Sequence, residues 1–369
     1  MPLLLLDFDG TITQNDTLHP LVTLAISSSS ASLALPAAPG PTSTTSASPP
    51  PSNPPTTEIQ EKGHPPQNVD LHARWSQIVN DYVADHAAHL ASYVPAAEAR
   101  TTLAQELAFL ESLGDVERRS VERVGKAGFF RGLMDPGSSG GSGTAAGEEE
   151  EEGPGVGGLR LDGLGSGVGT GNVNEGSAGK RVSRKKKESA LQRLGREAVR
   201  RKEVEVRKGF DKFIKDVKGR QPKWEVAVVS VNWSGDFIRG VVDQGCGEVI
   251  AEEKVVANQV ASPDGWVEGP AELGGEVLAT AGDKLRGMES LRNRGEKVVY
   301  FGDSTTDLAC LVEADLGVVI ADDGESKVLR TMRRVGLAVP HVGDADAGSR
   351  LVWAKDFEEV AQSKVMDWV

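Results

Sequence analysis

Cysteine is scarce: Cys246 and Cys310 are the two among 369 residues. They form no CxxC pair, no zinc-ligand pattern and no disulfide framework, so a reducing compartment is the simple expectation. Positive charge is also in deficit. Lys and Arg number 41 against 54 Asp and Glu, a formal charge of −13. That balance argues against generic binding to nucleic acid or to an anionic membrane. No apolar run approaches the ~18 residues that cross a bilayer. Apolar residues reach 38%, short of the ~45–50% usual for globular chains.

The shortage is local. From Ser27 to Thr57, 28 of 31 residues are Ser, Thr, Pro, Ala or Gly. Residues 135–187 are biased in a different way, with 16 glycines in 135–179, five consecutive glutamates at 148–152 and a basic run at 180–187. Segments 27–68 and 135–187 cannot bury enough apolar surface to offset their ordering entropy and are expected to be disordered insertions. Without them 369 − 42 − 53 = 274 residues remain, enough for one substantial core and a satellite. The basic run has the composition of a nuclear address, but beside the glutamates a solvated tract is favoured. A cytoplasmic protein is expected, with a nuclear location as the rival.

What remains alternates between two periods. Leu3–Leu6 runs straight into Asp7 with no basic residue before it, which reads as a buried strand rather than a signal peptide. Asp70 is a helix N-cap candidate, followed by Leu71, Trp75, Ile78, Val79 and Tyr82 at helical spacing. Further helices are expected over Leu103–Leu113, from Asp115 to about Val124, and again from about Glu188 past Val199. From Val204 onward, strands at 224–231, 255–256, 298–301 and 316–320 alternate with helices carrying Phe213, Phe237, Leu285 and Leu311. Such alternation predicts an α/β fold with a Rossmann-like parallel sheet and right-handed crossovers. Ligands in such sheets sit at the C-terminal strand ends.

Those ends carry the unusual polar residues. The first strand ends in Asp7-Phe8-Asp9-Gly10-Thr11, the second in Ser230 followed by Asn232, and a later one in Gly302-Asp303-Ser304-Thr305-Thr306-Asp307. Lys284 opens a helix between the last two. Each cluster alone is ordinary; together they suit phosphoryl chemistry. A carboxylate attacks phosphorus once the charge of a phosphomonoester is neutralised. Mg²⁺ suits that task, because it takes one or two carboxylates with phosphate oxygens and waters. Asp7, Asp303 and the backbone carbonyl of Asp9 are the candidate ligands. Asp9 would protonate the leaving alkoxide and then deprotonate water. Ser230, Lys284 and the N–H groups of the Gly10-Thr11 turn would hold the phosphoryl oxygens.

These residues resemble the haloacid-dehalogenase-like hydrolase superfamily. The matching segments are Asp7–Thr13, Val228-Val229-Ser230, Lys284 and Gly302–Asp307. The phosphoserine-phosphatase-like branch is the most similar, since Asp16-Thr17, Val206–Phe210 and Ala257-Asn258 also fit it. The resemblance implies a catalytic core at 1–18 and 204–369 with an inserted helical cap of the C1 type at 70–134 and 188–203. It also implies Asp7 as nucleophile, Asp9 as acid/base, Ser230 and Lys284 as phosphate ligands and Asp303 as metal ligand. Asp307 would support the metal directly or through water. An Asp at position 9 favours fast hydrolysis, which makes an aspartyl-phosphate phosphatase acting on a small phosphorylated metabolite the expected function. In place of the branch's Ser-Gly-Gly stands Ser230-Val231-Asn232-Trp233, so Asn232, grouped with the phosphate ligands, and Trp233 are expected to reshape the substrate pocket. Arg100, Arg118, Arg119, Arg123 and Phe129-Phe130 are lid candidates for specificity, though each also reads as surface or core. His86 and His89 lack a third metal ligand. The rival function is a catalytically weak regulatory scaffold that binds partners through its insertions.

Overall fold

A computed structural model describes residues 1–33, 70–131, 133, 188–247, 250–251, 254–261 and 264–369. The expected insertion 135–187, its charged runs included, and most of 27–68 lie outside them. Four leucines, Leu3–Leu6, form β1. The other strands of the main sheet are β2 (Glu225–Ser230), β3 (Val255–Ala257), β6 (Val298–Gly302), β7 (Leu316–Ile320) and β8 (Leu351–Ala354). Gln259–Val260 and Val267–Glu268, β4 and β5, make a separate antiparallel ribbon. All pairs in the six-stranded sheet are parallel, in the order β3-β2-β1-β6-β7-β8.

Both faces of this sheet are covered, which is why its strands read as unbroken apolar runs. Strand side chains alternate between faces. Leu4, Leu6, Val226, Val228, Val299 and Phe301 enter one core, where helices α1 (Leu18–Leu33), α5 (Ala190–Arg200), α6 (Phe210–Gly219), α7 (Gly235–Cys246) and α11 (Phe357–Gln362) contribute. Leu3, Leu5, Ala227, Val229, Val298 and Tyr300 enter the other. That core takes residues from α3 (Leu103–Ser112), α8 (Ala281–Leu291), α9 (Leu308–Glu313) and α10 (Lys327–Arg334). Helices α2 (Leu71–Ser92) and α4 (Gly114–Ala127) pack against each other. Asp70 caps α2 as expected, accepting from the N–H groups of His72 and Ala73. No helix among the described residues is long and apolar enough to cross a membrane.

Thr13, after the first turn, lies beside Val206, where the chain begins its C-terminal part. There the two passes form an antiparallel bridge, with Gln14 N–H on the Glu205 carbonyl and Arg207 N–H on the Ile12 carbonyl, both at 2.8 Å. Two boundaries differ from the sequence reading. Helix α1 continues through Leu33, seven residues into the stretch where disorder is expected from Ser27. The buried residues Leu21, Val22, Leu24, Ala25 and Ile26 anchor it, and the Ala and Ser that follow do not break a helix already nucleated. Residues 188–203, expected in the lid, instead place α5 against α7 in the core. Two glycines allow it: a Cβ at Gly195 would collide with the Phe237 carbonyl, and one at Gly240 with the Gln192 carbonyl.

This close crossing is testable. Gly240→Ala should destabilise the protein by about 1–3 kcal/mol through overpacking. Gly219→Ala, whose Cβ meets nothing, should be neutral or stabilising by up to about 1 kcal/mol. Equal denaturant midpoints for the two variants would contradict the packing described.

Candidate active site

In the doubly wound sheet, the chain runs from β1 outward to β2 and β3, then returns to add β6, β7 and β8 on the other side. The crevice at such a switch point is where ligands bind. Asp7 directly follows β1, its N–H bonded to the Phe301 carbonyl at 2.9 Å. Asp303 directly follows β6. Gly10 has φ +73°, and any side chain there would overlap the Asp303 carboxylate. That position needs glycine twice over, for its backbone conformation and for the close approach. Thr11 Oγ1 donates to Asp303 Oδ1 at 3.1 Å. The expected phosphate-binding turn at Gly10-Thr11 therefore spends its hydroxyl on Asp303. Arg207, buried, locks the same turn from behind by donating to the carbonyl of Gly10 at 2.6 Å and to Asp322 at 3.1 Å.

Oxygens of Asp7, Asp303 and Asp307 converge within 4.8 Å of one another. Lys284 is fully buried among them, 2.7 Å from Asp7 Oδ1 and 2.5 Å from Asp307 Oδ1. Burial opposes the charge of Lys284, but Asp307 and Asp7 more than restore it and push its pKa up. Asp307 is saturated. Its Oδ1 accepts from Lys284 and from Tyr300 at 2.8 Å, and its Oδ2 from Ser304 Oγ at 2.9 Å and the N–H groups of Asp303 and Ser304. These bonds hold Lys284 and the Asp303 turn. Tyr300 was missed by sequence reasoning, although a tyrosine inside a buried strand signals a hydroxyl in need of a partner.

Asp9 points away from this cluster. Its Oδ1 accepts from Thr17 N–H at 2.8 Å and Thr17 Oγ1 at 2.7 Å, and its Oδ2 accepts from Asn232 Nδ2 at 2.9 Å. The Asp9 carboxylate is thus not among the converging metal-ligand candidates. Withdrawal from water, then Asp16, raises its pKa to about 6 against these three hydrogen bonds. Asn232 gives its amide to Asp9 and Thr17. The grouping of Asn232 with the phosphate ligands is corrected: both amide hydrogens are taken, so it orients Asp9. Ser230 is fully buried at the end of β2, its Oγ accepting from Asn232 N–H at 3.1 Å.

A cavity of about 390 Å³ opens above Asp7, Asp9 and Asp303, walled by Trp75, Tyr82 and Trp233. Trp233 thus shapes the pocket as expected. The lid arginines do not enter it. Arg118 pairs with Asp283, Arg119 and Arg123 pair with Asp85, and Arg100 pairs with Glu106 while stacking 3.9 Å above the Phe109 ring. Phe129 and Phe130 are core. His89 meets Ser112 at 2.8 Å.

The donor set fits a divalent cation. When ionised, three carboxylates share one ammonium, leaving two negative charges unbalanced. Asp7 Oδ1 is buried, with Lys284 as its recorded partner. Burial, followed by Asp307, raises the pKa of Asp7 and lifts Asp303 to about 7. Hard oxygen ligands in this number suit a small divalent ion.

Fold and site together give the α/β arrangement expected from the motifs, a parallel sheet covered on both faces with an acidic cluster at the ends of β1 and β6. No family model matches the chain. It is 30% identical over 129 residues to the bifunctional TH2 protein, mitochondrial, of Arabidopsis thaliana, a match covering 34% of this chain. The matched part is 19% of that relative's length. Among solved structures, a phosphoserine phosphohydrolase-like protein from Francisella tularensis subsp. tularensis SCHU S4 aligns over 98% of this chain and 99% of its own, at 11% identity and TM-score 0.41. A phospho-aspartyl intermediate analogue of phosphoserine phosphatase aligns over 98% of this chain and 97% of its own, at 13% identity and TM-score 0.39.

The cluster predicts a pH-dependent response to cation. The raised values of Asp9, about 6, and Asp303, about 7, mean that the folded chain binds more protons than the unfolded one above pH ~4. In EDTA their contribution to stability therefore falls as pH rises from about 4 to 7. A divalent cation favours the ionised carboxylates and should reverse the loss. Millimolar Mg²⁺, used as probe, should raise Tm more at pH 7 than at pH 5. An equal shift at both, or none, would contradict the assignment.

Proposed function

We propose that this chain is a Mg²⁺-dependent phosphatase that hydrolyses a small phosphomonoester through an aspartyl-phosphate on Asp7. The observation that carries the reading is the division of labour between two carboxylates two residues apart. Asp7 sits against Lys284 in the acidic cluster, while Asp9 faces the same cavity under the separate restraint of Thr17 and Asn232. Environments that set two carboxylates apart in this way assign nucleophile and acid/base roles.

A bound Mg²⁺, held by Asp7, Asp303 and the carbonyl of Asp9, supplies the charge neutralisation that lets one anion approach another. The remaining work belongs to the chain. Asp7 attacks phosphorus as a carboxylate, and the ester oxygen leaves with the proton of Asp9. The Asp9 carboxylate then takes a proton from water, whose oxygen attacks phosphorus and releases inorganic phosphate and free Asp7. A value near 6 for Asp9 suits a group that gives and takes a proton near neutrality. Lys284 spends one donor on Asp307 and faces Asp7, which leaves an N–H to hold a phosphoryl oxygen as charge spreads over the group. A phosphate-sensing scaffold would need neither Asp9 nor its three-bond restraint, so turnover is the better reading.

The test is hydrolysis of an aryl phosphate. Asp7→Asn should abolish it, and Asp9→Asn should lower kcat by about 10²–10⁴-fold. EDTA should remove activity and added Mg²⁺ restore it. Full activity in Asp7→Asn would overturn the mechanism.

A further inference from the structure

Beside the Asp7 cavity lies a larger one, of about 620 Å³, in which the balance of charge is reversed. The two share Tyr82, Glu117, Ala279 and Thr306 in their walls. The Asp7 cavity is lined by acids and has no Lys, Arg or His among its described lining residues. The larger one has four cationic side chains, Arg100, Lys327, Arg330 and Arg334, against the acids Glu98, Glu106 and Glu117. The phosphatase reading uses none of these cations.

The sequence of α10 dictates the arrangement. Lys327, Arg330, Thr331 and Arg334 follow helical spacing, so they share one face, and all four line the cavity. Arg333 lies off that face; it pairs with Glu325 and borders a different hollow. Two of the cations are tied down. Arg100 and Arg334 converge on Glu106 at 2.8 and 2.5 Å, and both donate to the same oxygen, Oε2. One carboxylate balances one guanidinium, so this triad keeps a positive charge in excess. Arg100 and Glu106 are buried, and Arg334 Nε is buried with no hydrogen-bond partner. Charge drawn out of water without a counterpart is costly until an opposite charge meets it. The other two cations are available. Lys327 and Arg330 are exposed and have no ion pair among the described residues. Arg330 spends Nη1 on the Glu325 carbonyl at 2.7 Å.

We propose that this second cavity binds a phosphate-type oxyanion at a site separate from Asp7. Lys327 and Arg330 would give it charge-assisted hydrogen bonds. The Thr305 and Thr331 hydroxyls line the same space, and the excess charge of the Arg100–Glu106–Arg334 triad adds to the attraction. The occupant is inorganic phosphate or the phosphate group of a small metabolite, which present the same chemistry. The inference goes beyond the phosphatase reading and does not rest on it: no group named here takes part in the reaction at Asp7.

Calorimetric titration with inorganic phosphate in EDTA tests it, because the metal-free Asp7 cavity repels a dianion. The wild-type chain should bind one phosphate. Lys327→Gln and Arg330→Gln, both at exposed positions, should each weaken binding about tenfold, the scale of one charge-assisted hydrogen bond. Arg333→Gln, on the same helix but off the cavity face, should leave it unchanged. No saturable binding, or equal weakening by all three variants, would overturn the proposal. Binding untouched by Lys327→Gln and Arg330→Gln would also overturn it, by placing the anion elsewhere, such as at Lys284. A parallel titration with glycerol 2-phosphate separates the two sources. Tighter binding than that of inorganic phosphate upholds the site as one for a phosphorylated metabolite, and equal or weaker binding upholds it as one for free phosphate. Loss or survival of hydrolysis in Asp7→Asn bears on the mechanism alone, so the two readings fail separately.

Discussion

The site depends on a buried imbalance of charge. Asp7, Asp303 and Asp307 meet around a single ammonium, that of Lys284, with no exposed surface on the lysine. Breaking a buried ion pair by removing one partner costs about 3–5 kcal/mol in general, because the remaining charge is left uncompensated. Here the imbalance exists before any change is made. The protein tolerates it by saturating Asp307 with five donors and by setting Lys284 against Asp7. A cluster arranged in this way holds more negative charge than its one buried lysine balances.

The sheet explains why these residues meet. Strands β1 and β6 are neighbours whose connections run to opposite sides, so the segments that follow them diverge and leave a crevice. Glycine at position 10 lets the first turn close over Asp303, and Arg207 ties that turn to the segment that begins the C-terminal part. Thr17, just before α1, is the residue that holds Asp9.

Much of this was legible in the sequence, and the reasons are physical. Four leucines before an acidic turn, and valine-rich runs ending in Ser230 and Gly302, are what a sheet buried on both faces requires. The order of the polar clusters gave Asp7, Lys284 and Asp303. Beyond Ile320 the reading stopped. Strand β8 has four residues at a sheet edge and alternates in burial, while α10 and α11 have eight and six residues, too short for helical periodicity to stand out. The role of Asn232 was misread, since nothing in a sequence tells whether an amide faces substrate or a neighbouring acid. Thr17 and Tyr300 were read as parts of a motif and a strand, not as site residues, although each bonds a nearby acid, Thr17 to Asp9 and Tyr300 to Asp307.

The central claim is that Asp7 takes the phosphoryl group. Intact-protein mass spectrometry of samples quenched in acid during turnover of an aryl phosphate tests it most directly. The account predicts one added phosphoryl group that hydroxylamine removes and that peptide mapping places on Asp7. Sustained turnover with no adduct, or an adduct on Ser230 instead, would contradict it.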